Sequence, residues 1–323
     1  MKLFFSGRFF IFLSTLALFG FPCTGVAQEE PVVQQAPKEK ERSRWEKALI
    51  RGNINISEWF DSAAEGLDLF LAGKKVTKKK NESNIRIENI TTSREGKALN
   101  NAWSIAVNPR LPNVEEYWHL KFATYDEREE KRNAKNAYLR QTARQRNYGA
   151  TVGLFKKLGN VRTAFQPRIE LRDPLRVSHS LILESIAEQK TYEINPKLEL
   201  YATPDRGVGT FQALNFNFTF SRVWTLTLIN QGDYEEKFHI YMVTNGFSVG
   251  QNLTDRSALS YNLIFSSNNR PDYHLEAYNV SVGYSEVIYK KILDIQVIPN
   301  LDFQKTAGFR GAAGITLSFN FNF

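Results

Sequence analysis

The sequence is poor in the residues that most often build reactive or cross-linked sites. It has one cysteine, two methionines and four histidines in 323 residues. The single cysteine, Cys23, has no partner in the chain, which excludes a small secreted domain stapled by disulfides. After the N-terminal segment no stretch is apolar and long enough for a membrane-spanning helix, which excludes a helical membrane protein.

Motifs for cofactors, metals and catalysis are also missing. No glycine-rich phosphate loop and no ligand spacing of a metal site occur, so we expect no cofactor and no bound metal. The histidines, His119, His179, His239 and His274, are scattered. His179 stands between two serines, but neighbouring strand residues face opposite sides and cannot pair directly. We assign no catalytic residue, and a lipid hydrolase is only a third alternative.

The first 27 residues have the features of a signal peptide. Lys2 and Arg8 give a positive start, residues 9–20 are apolar, and "GVA" precedes a predicted cleavage site before Gln28. Cys23 raises the alternative of a lipoprotein, although its neighbours fit a lipidation site poorly. The chain is therefore expected to be exported.

Residues 28–56 are predicted to be a disordered linker, and residues 57–83 an amphipathic helix followed by a lysine-rich linker. Ser57 is the expected N-cap. The apolar stripe consists of Phe60, Ala63, Ala64, Leu67, Phe70 and Leu71. We expect this helix to pack against the main domain, and a barrel plug, a docking element for a periplasmic partner (residues 57–73) and a membrane-surface helix are the alternatives.

The lysine-rich run "KKVTKKKNES" is expected to be a solvated linker. Nucleic acid is not an expected partner, because the chain is exported and no aromatic reading module accompanies the lysines.

From residue 84 to 323 apolar and polar residues alternate, which is typical of strands with one oily and one polar face. Many segments have about 10 residues, the length of a tilted membrane-crossing strand. Turn signals separate them, and no helical segments intervene. The sequence predicts an all-β, antiparallel up-and-down transmembrane barrel of about 14 strands, with 12 as the fallback. Candidate strands lie near 84–95, 99–109, 117–126, 148–158, 161–171, 176–188, 191–202, 210–221, 224–234, 237–250, 257–267, 273–284, 291–303 and 312–323.

The signal peptide, the alternation and the ending "GITLSFNFNF" resemble those of Gram-negative outer-membrane β-barrel proteins of the porin-like class. The resemblance implies that Phe319, Phe321 and Phe323 belong to a signal read by the barrel-assembly machinery. It also implies that outer-membrane lipid surrounds the barrel. With an even strand number, both termini would be periplasmic.

The polar faces carry charges of both signs, which would point into the lumen of a barrel. The candidate lumen-lining residues are Arg162, Arg168, Glu170, Arg172, Glu193, Lys197, Glu199, Asp294 and Asp302. If a gap remains between them, they line a pore or passive small-solute channel, which is the reading we favour. If they interlock as ion pairs, the barrel is a non-conducting structural or partner-binding protein.

The longest connection, residues 127–147, is dense in charges of both signs. We expect it to remain solvated outside the barrel, and folding inward as a constriction is the alternative.

Overall fold

A computed structural model of the protein describes residues 43–72, 83–109, 118–132, 148–158, 160–289 and 292–323. The predicted signal peptide, residues 28–42 of the predicted linker and the lysine-rich run at 73–82 lie outside the described residues.

The described residues from Asn84 onward build fourteen antiparallel strands. They are β1 (Asn84–Arg94), β2 (Lys97–Asn108), β3 (Trp118–Ala123), β4 (Gly149–Leu158), β5 (Val161–Phe165 with Arg168–Glu170), β6 (Arg176–Ser185 with Ala187–Glu188), β7 (Tyr192–Thr203), β8 (Gly207–Thr219), β9 (Trp224–Glu235), β10 (Ile240–Asn252), β11 (Ser257–Asn268), β12 (His274–Tyr289), β13 (Leu293–Gln304) and β14 (Gly311–Asn322). A short 3₁₀ turn, Lys305–Ala307, joins the last two.

The strands close into a barrel because β1 pairs with β14, placing Arg86 opposite Asn322. The two parts of β5 count as one strand, since both pair with β4 on one side and with β6 on the other. The prediction of about 14 strands is therefore confirmed, and the fallback of 12 is wrong.

The outer face of the barrel is apolar and open to its surroundings. Alternation explains this, because each strand turns every second side chain outward. Outward aliphatic and aromatic side chains that remain exposed include Ile105, Phe165, Leu181, Leu198, Leu200, Leu228, Phe247, Val280, Leu301, Ile315 and Phe319. An apolar belt around a closed barrel is unstable in water but suits lipid.

The N-terminal helix, α1, runs from Arg44 to Ala72 and is longer than predicted. Ser57 lies inside it, so the predicted N-cap is wrong, as is the assignment of residues 44–56 to a disordered linker. This segment contains good helix formers before Gly52, and the helix continues through that residue at the usual cost of about 1 kcal/mol. Neither α1 nor the short helix Glu127–Arg132, which is described below, is long and apolar enough to cross a membrane.

Hydrogen bonds join α1 to the end of the barrel where β1 begins and β14 ends, which we call the termini rim. Asn53 Nδ2 donates to the Asn322 carbonyl oxygen at 2.8 Å, and the Ser83 amide donates to Asp61 Oδ1 at 2.9 Å. Ala64 and Asp68 are buried, whereas Trp59 is exposed. The helix thus contacts the barrel, as expected, although part of its apolar surface stays uncovered.

The connection after β3 begins at the opposite end of the barrel, the loop rim. Its residues Glu127–Arg132 form a second helix, α2, and Arg128 and Arg132 of that helix are buried against the inner wall. The expectation that this connection stays solvated is therefore wrong for its first part. Residues 133–147 lie outside the described residues.

Candidate functional site

The charges on the inner wall are unevenly distributed around the barrel. The inward positions of β10, β11 and β14 bear no Asp, Glu, Lys or Arg within the described strands. Their side chains are mostly Ser, Thr, Asn, Gly and Ala. Strands β3 to β7, strand β9 and α2 carry much of the charge, whereas β8 has no Asp, Glu, Lys or Arg. The candidate site therefore lies on their side of the lumen.

All nine lumen-lining candidates lie on the inward-facing side of their strands or directly beyond a strand end. Arg162, Arg168, Glu170 and Arg172 belong to β5 and its end, Glu193, Lys197 and Glu199 to β7, and Asp294 and Asp302 to β13.

The structure brings several of these candidates into ion pairs. Lys197 Nζ lies 3.2 Å from Glu199 Oε2, and Arg172 Nε lies 3.9 Å from Glu170 Oε2. Asp302 pairs instead with Arg94 at 2.7 Å, on the far side of the barrel.

Two further candidates, Asp294 and Glu193, are not part of these ion pairs. Asp294 accepts hydrogen bonds from the amides of Asn320 and Asn322. Glu193 lines neither of the two lumen cavities described below.

Arg128 fixes α2 to the wall. Its Nη1 donates to Ser180 Oγ at 2.9 Å and to the Gln166 carbonyl oxygen, and its Nη2 donates to Ser178 Oγ at 3.2 Å. Hydrogen bonds from a charged donor contribute more than neutral ones, about 1.5–3 kcal/mol each. A buried guanidinium with this many acceptors therefore pins the helix inside the lumen.

Asp126 is the carboxylate at the centre of this attachment. Its Oδ2 lies 3.2 Å from Arg128 Nη2 and 3.9 Å from Arg168 Nε. Burial alone would raise the pKa of Asp126, but Arg128, Arg168 and Arg132 hold that pKa below its ordinary value of 3.8. Asp126 is therefore ionised at neutral pH and ties α2 to β5.

Arg132 and Tyr201 form a second contact between α2 and the wall. The guanidinium carbon of Arg132 lies 3.9 Å from the centre of the Tyr201 ring, a cation–π distance, and Tyr201 donates a 2.6 Å hydrogen bond to Asp233 Oδ1. The ring also lies flat on Gly209, where a Cβ atom would come within 2.3 Å of the ring carbon Cζ. Only glycine fits at that position without displacing the ring.

An arginine of the β7–β8 turn completes the network. Arg206 donates to Glu235 Oε1 at 2.9 Å, lies 3.9 Å from Asp233 Oδ2 and pairs with Glu129 of α2. Burial alone would lower the pKa of Arg206, yet Glu129, Glu235 and Asp233 raise it above its ordinary value. The ion pairs of Arg206 thus link the loop rim to α2.

Two cavities lie in the lumen, and the segment Asp126–Arg132 borders both. The basic cavity, of about 690 Å³, has cations from Lys121, Arg128, Arg162, Arg168 and Lys197 against the carboxylates of Asp126 and Glu184. The acidic cavity, of about 650 Å³, has carboxylates from Asp126, Glu129, Glu170, Asp205, Asp233, Glu235 and Glu276 against Arg132, Arg172 and Arg206. Among the described lining residues, five cations against two carboxylates leave a net charge of +3. Three cations against seven carboxylates leave −4.

The two cavities are stacked along the barrel. The basic cavity reaches Asn108 and Ser185, near the termini rim, and the acidic cavity reaches Asp205 and Asn268 at the loop rim. Asp126, Phe211 and Gln231 line both cavities and mark the narrow zone between them.

Part of the inner wall on β9, β11 and β14 is buried, and we call this part the covered arc. Ile229 and Ile264 point inward and are each 1% exposed, and Ser318 is fully buried.

The Ser-His-Ser run at 178–180 does not place either serine hydroxyl beside His179. His179 lies on the outer face, stacked on Phe165, whereas Ser178 and Ser180 point inward to Arg128. His239 sits in a turn with positive φ, and His274 pairs with Glu276 at 3.0 Å. In the described ranges no group of three metal-ligating side chains is close enough to hold a metal ion.

Sequence reasoning missed Asp126, Arg128, Arg132, Tyr201 and Arg206. The connection 127–147 is predicted to be solvated because it is dense in charges of both signs. A signal was nevertheless present, since "EREEKR" has good helix formers and follows Asp126, a suitable N-cap. Which wall the helix would meet depends on contacts between residues far apart in sequence.

Comparison with known proteins gives likeness to solved structures alone. No protein-family model and no curated protein matches the chain. A loop-deletion mutant of OmpT, an outer membrane protein of Vibrio cholerae, matches with 8% identity and a TM-score of 0.47, over 76% of this chain and 99% of that one. The outer membrane channel DcaP of Acinetobacter baumannii matches with 7% identity and a TM-score of 0.47, over 76% and 97%.

The KdgM porin, solved with disordered oligogalacturonate, matches with 7% identity and a TM-score of 0.38, over 74% of this chain and 99% of that one. TM-scores this low carry no argument about function. The barrel architecture is established by the strand pairing within this chain, in which β1 pairs with β14.

Proposed function

We propose that this protein is a barrel of the Gram-negative outer membrane that passes small polar solutes through the charged side of its lumen. The observation that carries the proposal is the pair of stacked cavities, which approach the two rims and meet at Asp126, Phe211 and Gln231. The apolar outer belt supports a membrane location. The predicted signal peptide would bring the chain to the periplasm.

The inward helix gives this pore a constriction. Arg128 and Arg132 hold α2 against the inner wall, where it borders both cavities. A charged constriction admits small hydrated solutes and slows large or apolar ones.

A non-conducting barrel is the second candidate, and the covered arc favours it. Ile229 of β9, Ile264 of β11 and Ser318 of β14 are almost fully buried, as in a filled lumen. In that case the cavities would be closed chambers, and α1 at the termini rim would serve as a docking element for a periplasmic partner.

Single-channel recording with purified, folded protein in planar bilayers separates the two candidates. Stepwise currents would support the pore. Folded insertion, shown by heat-modifiable migration on gels, with no current at any voltage would rule it out and leave the structural barrel. Loss of a co-purifying envelope protein on removal of residues 45–73 would then support the docking role.

A further inference from the structure

The acidic cavity contains one buried guanidinium whose hydrogen bonds are incomplete. Arg206 binds Glu235, and Arg172 lies near Glu170. Arg132 differs from both, because its Nη1 is buried and has no hydrogen-bond partner among the described residues. Its side chain is only 3% exposed.

The contacts of Arg132 explain why its Nη1 has no hydrogen-bond partner among the described residues. Its Nε donates to the Arg128 carbonyl oxygen at 3.4 Å and lies 3.9 Å from Glu199 Oε1, while its guanidinium plane stacks on Tyr201. These contacts use one edge and one face of the group. A guanidinium fork with free N–H groups is the side chain best suited to bind a carboxylate.

The walls of the same cavity have the opposite demand. Asp233, Glu235 and Glu276 contribute to an excess of carboxylates over cations. Gln231 Oε1, on the boundary between the cavities, is a buried acceptor with no hydrogen-bond partner in the described ranges. The excess of carboxylates and the unpartnered Gln231 oxygen both favour a ligand group that donates hydrogen bonds and carries a positive charge.

We propose that the acidic cavity binds small zwitterionic solutes that carry a free carboxylate and a free ammonium group, such as amino acids or short peptides. The carboxylate binds at Arg132, and the ammonium points toward Asp233 and Glu235. A monoanion would meet the acidic walls, and a monocation would leave Arg132 Nη1 without a hydrogen-bond partner. The volume of about 650 Å³ is in the usual range for small-molecule sites.

The proposal deepens the proposed function and rests on it only for how a solute reaches the cavity. Binding itself is measured without transport, by isothermal titration calorimetry of the full barrel in detergent micelles. Four probes of similar size are compared: glycylglycine (zwitterion), N-acetylglycine (anion), glycylglycinamide (cation) and N-acetylglycinamide (neutral).

We expect glycylglycine to bind at least about tenfold more tightly than each of the other three, a difference of about 1.4 kcal/mol. Arg132→Gln should remove most of that preference, and Arg310→Gln, an exposed arginine of the β13–β14 connection, should not change it. Because Arg132→Gln could loosen α2, Glu235→Gln is the second variant. It should weaken glycylglycine and strengthen N-acetylglycine.

Equal binding of the four probes, or no binding of glycylglycine, would overturn the inference. A barrel that conducts ions but shows no preference for glycylglycine would disprove the zwitterion site alone. A barrel that binds glycylglycine but never conducts would disprove the pore and leave the site in place.

Discussion

Arg128 of α2 donates a 2.9 Å hydrogen bond to Ser180 Oγ on β6, a residue 52 positions further along the chain. This long-range contact, together with those to Ser178 and Gln166, holds the inward segment against the wall. Arg128 of the β3–β4 connection therefore contributes to holding α2 inside the lumen.

Replacing Arg128 should widen the pore. Arg128→Gln keeps a polar side chain but removes the charge that Asp126, Ser178 and Ser180 share, at a cost of about 1.5–3 kcal/mol per lost charged hydrogen bond. We expect larger and noisier single-channel currents in planar bilayers than for the wild type. Arg310→Gln is the matched control, and equal conductance of all three proteins would show that α2 does not set the width.

The attachment of α2 should also depend on acid. The pKa of Asp126 is depressed on folding, so its ion pairs contribute fully at neutral pH and are lost as the pH falls below about 3.8, through the lowered pKa. We expect conductance to stay constant from about pH 7 to about pH 5 and to rise in stronger acid. Asp126→Asn should show the raised conductance already at neutral pH. A transition centred near pH 6 would instead implicate a histidine.

The contact of Tyr201 with Gly209 should be sensitive to a single methyl group. A Cβ atom at position 209 would lie 2.3 Å from the ring carbon Cζ, and the ring cannot move without breaking its bond to Asp233. Gly209→Ala should lower the free energy of unfolding in urea by about 1–3 kcal/mol, the usual cost of overpacking.

Gly66→Ala is the control for that substitution, because nothing lies within 4 Å of the added carbon and Ala favours the helix. If Gly209→Ala were as stable as Gly66→Ala, the close approach of ring and backbone would be disproved.

The architecture could be predicted from the sequence because it follows from a local pattern. In β14, and in β7 as far as Leu200, large apolar residues face outward and polar residues face inward, so Glu199 and Phe319 could be assigned without knowing their neighbours. Tyr201 is the exception, because it faces the lumen. Prolines were less informative: Pro167 interrupts β5, as its missing donor suggests, whereas Pro196 and Pro299 stay in register.

The site could be predicted only in part. Lys197 and Arg168 were found because they lie on alternating strands. Arg128 and Arg132 were missed because charged helix formers in a long connection satisfy themselves equally well in water or in a polar lumen. Contacts with Ser178, Ser180 and Tyr201 place the helix in the lumen rather than in water. These three residues come together with the helix only when the barrel is closed.

The C-terminal residue should matter for assembly. Phe323 exchanges hydrogen bonds with Ile85, its amide donating at 2.8 Å and its carbonyl oxygen accepting at 3.1 Å, so it lies where the last strand meets the first. We expect Phe323→Ser to reduce the amount of barrel in the outer-membrane fraction of cells. Phe220→Ser, an exposed aromatic residue in another strand connection, is the control, and equal losses would argue against a role as an assembly signal.

The opposite charges of the two cavities should make the pore rectify current. Cations concentrate in the acidic cavity at the loop rim and anions in the basic cavity toward the termini rim. When the loop-rim side is positive, both ions are driven toward the middle of the lumen and conductance is high. The reverse voltage depletes both ions.

The asymmetry should be large in 0.1 M salt, where the Debye length is about 10 Å, and nearly absent in 1 M salt, where it is about 3 Å. Glu235→Gln should reduce it. The orientation of the barrel in the bilayer is determined with Asp272→Cys, in the β11–β12 turn. A thiol reagent added to one compartment modifies this cysteine only if the loop rim faces that compartment. Equal currents at both polarities in low salt would show that the described charges do not govern ion flow.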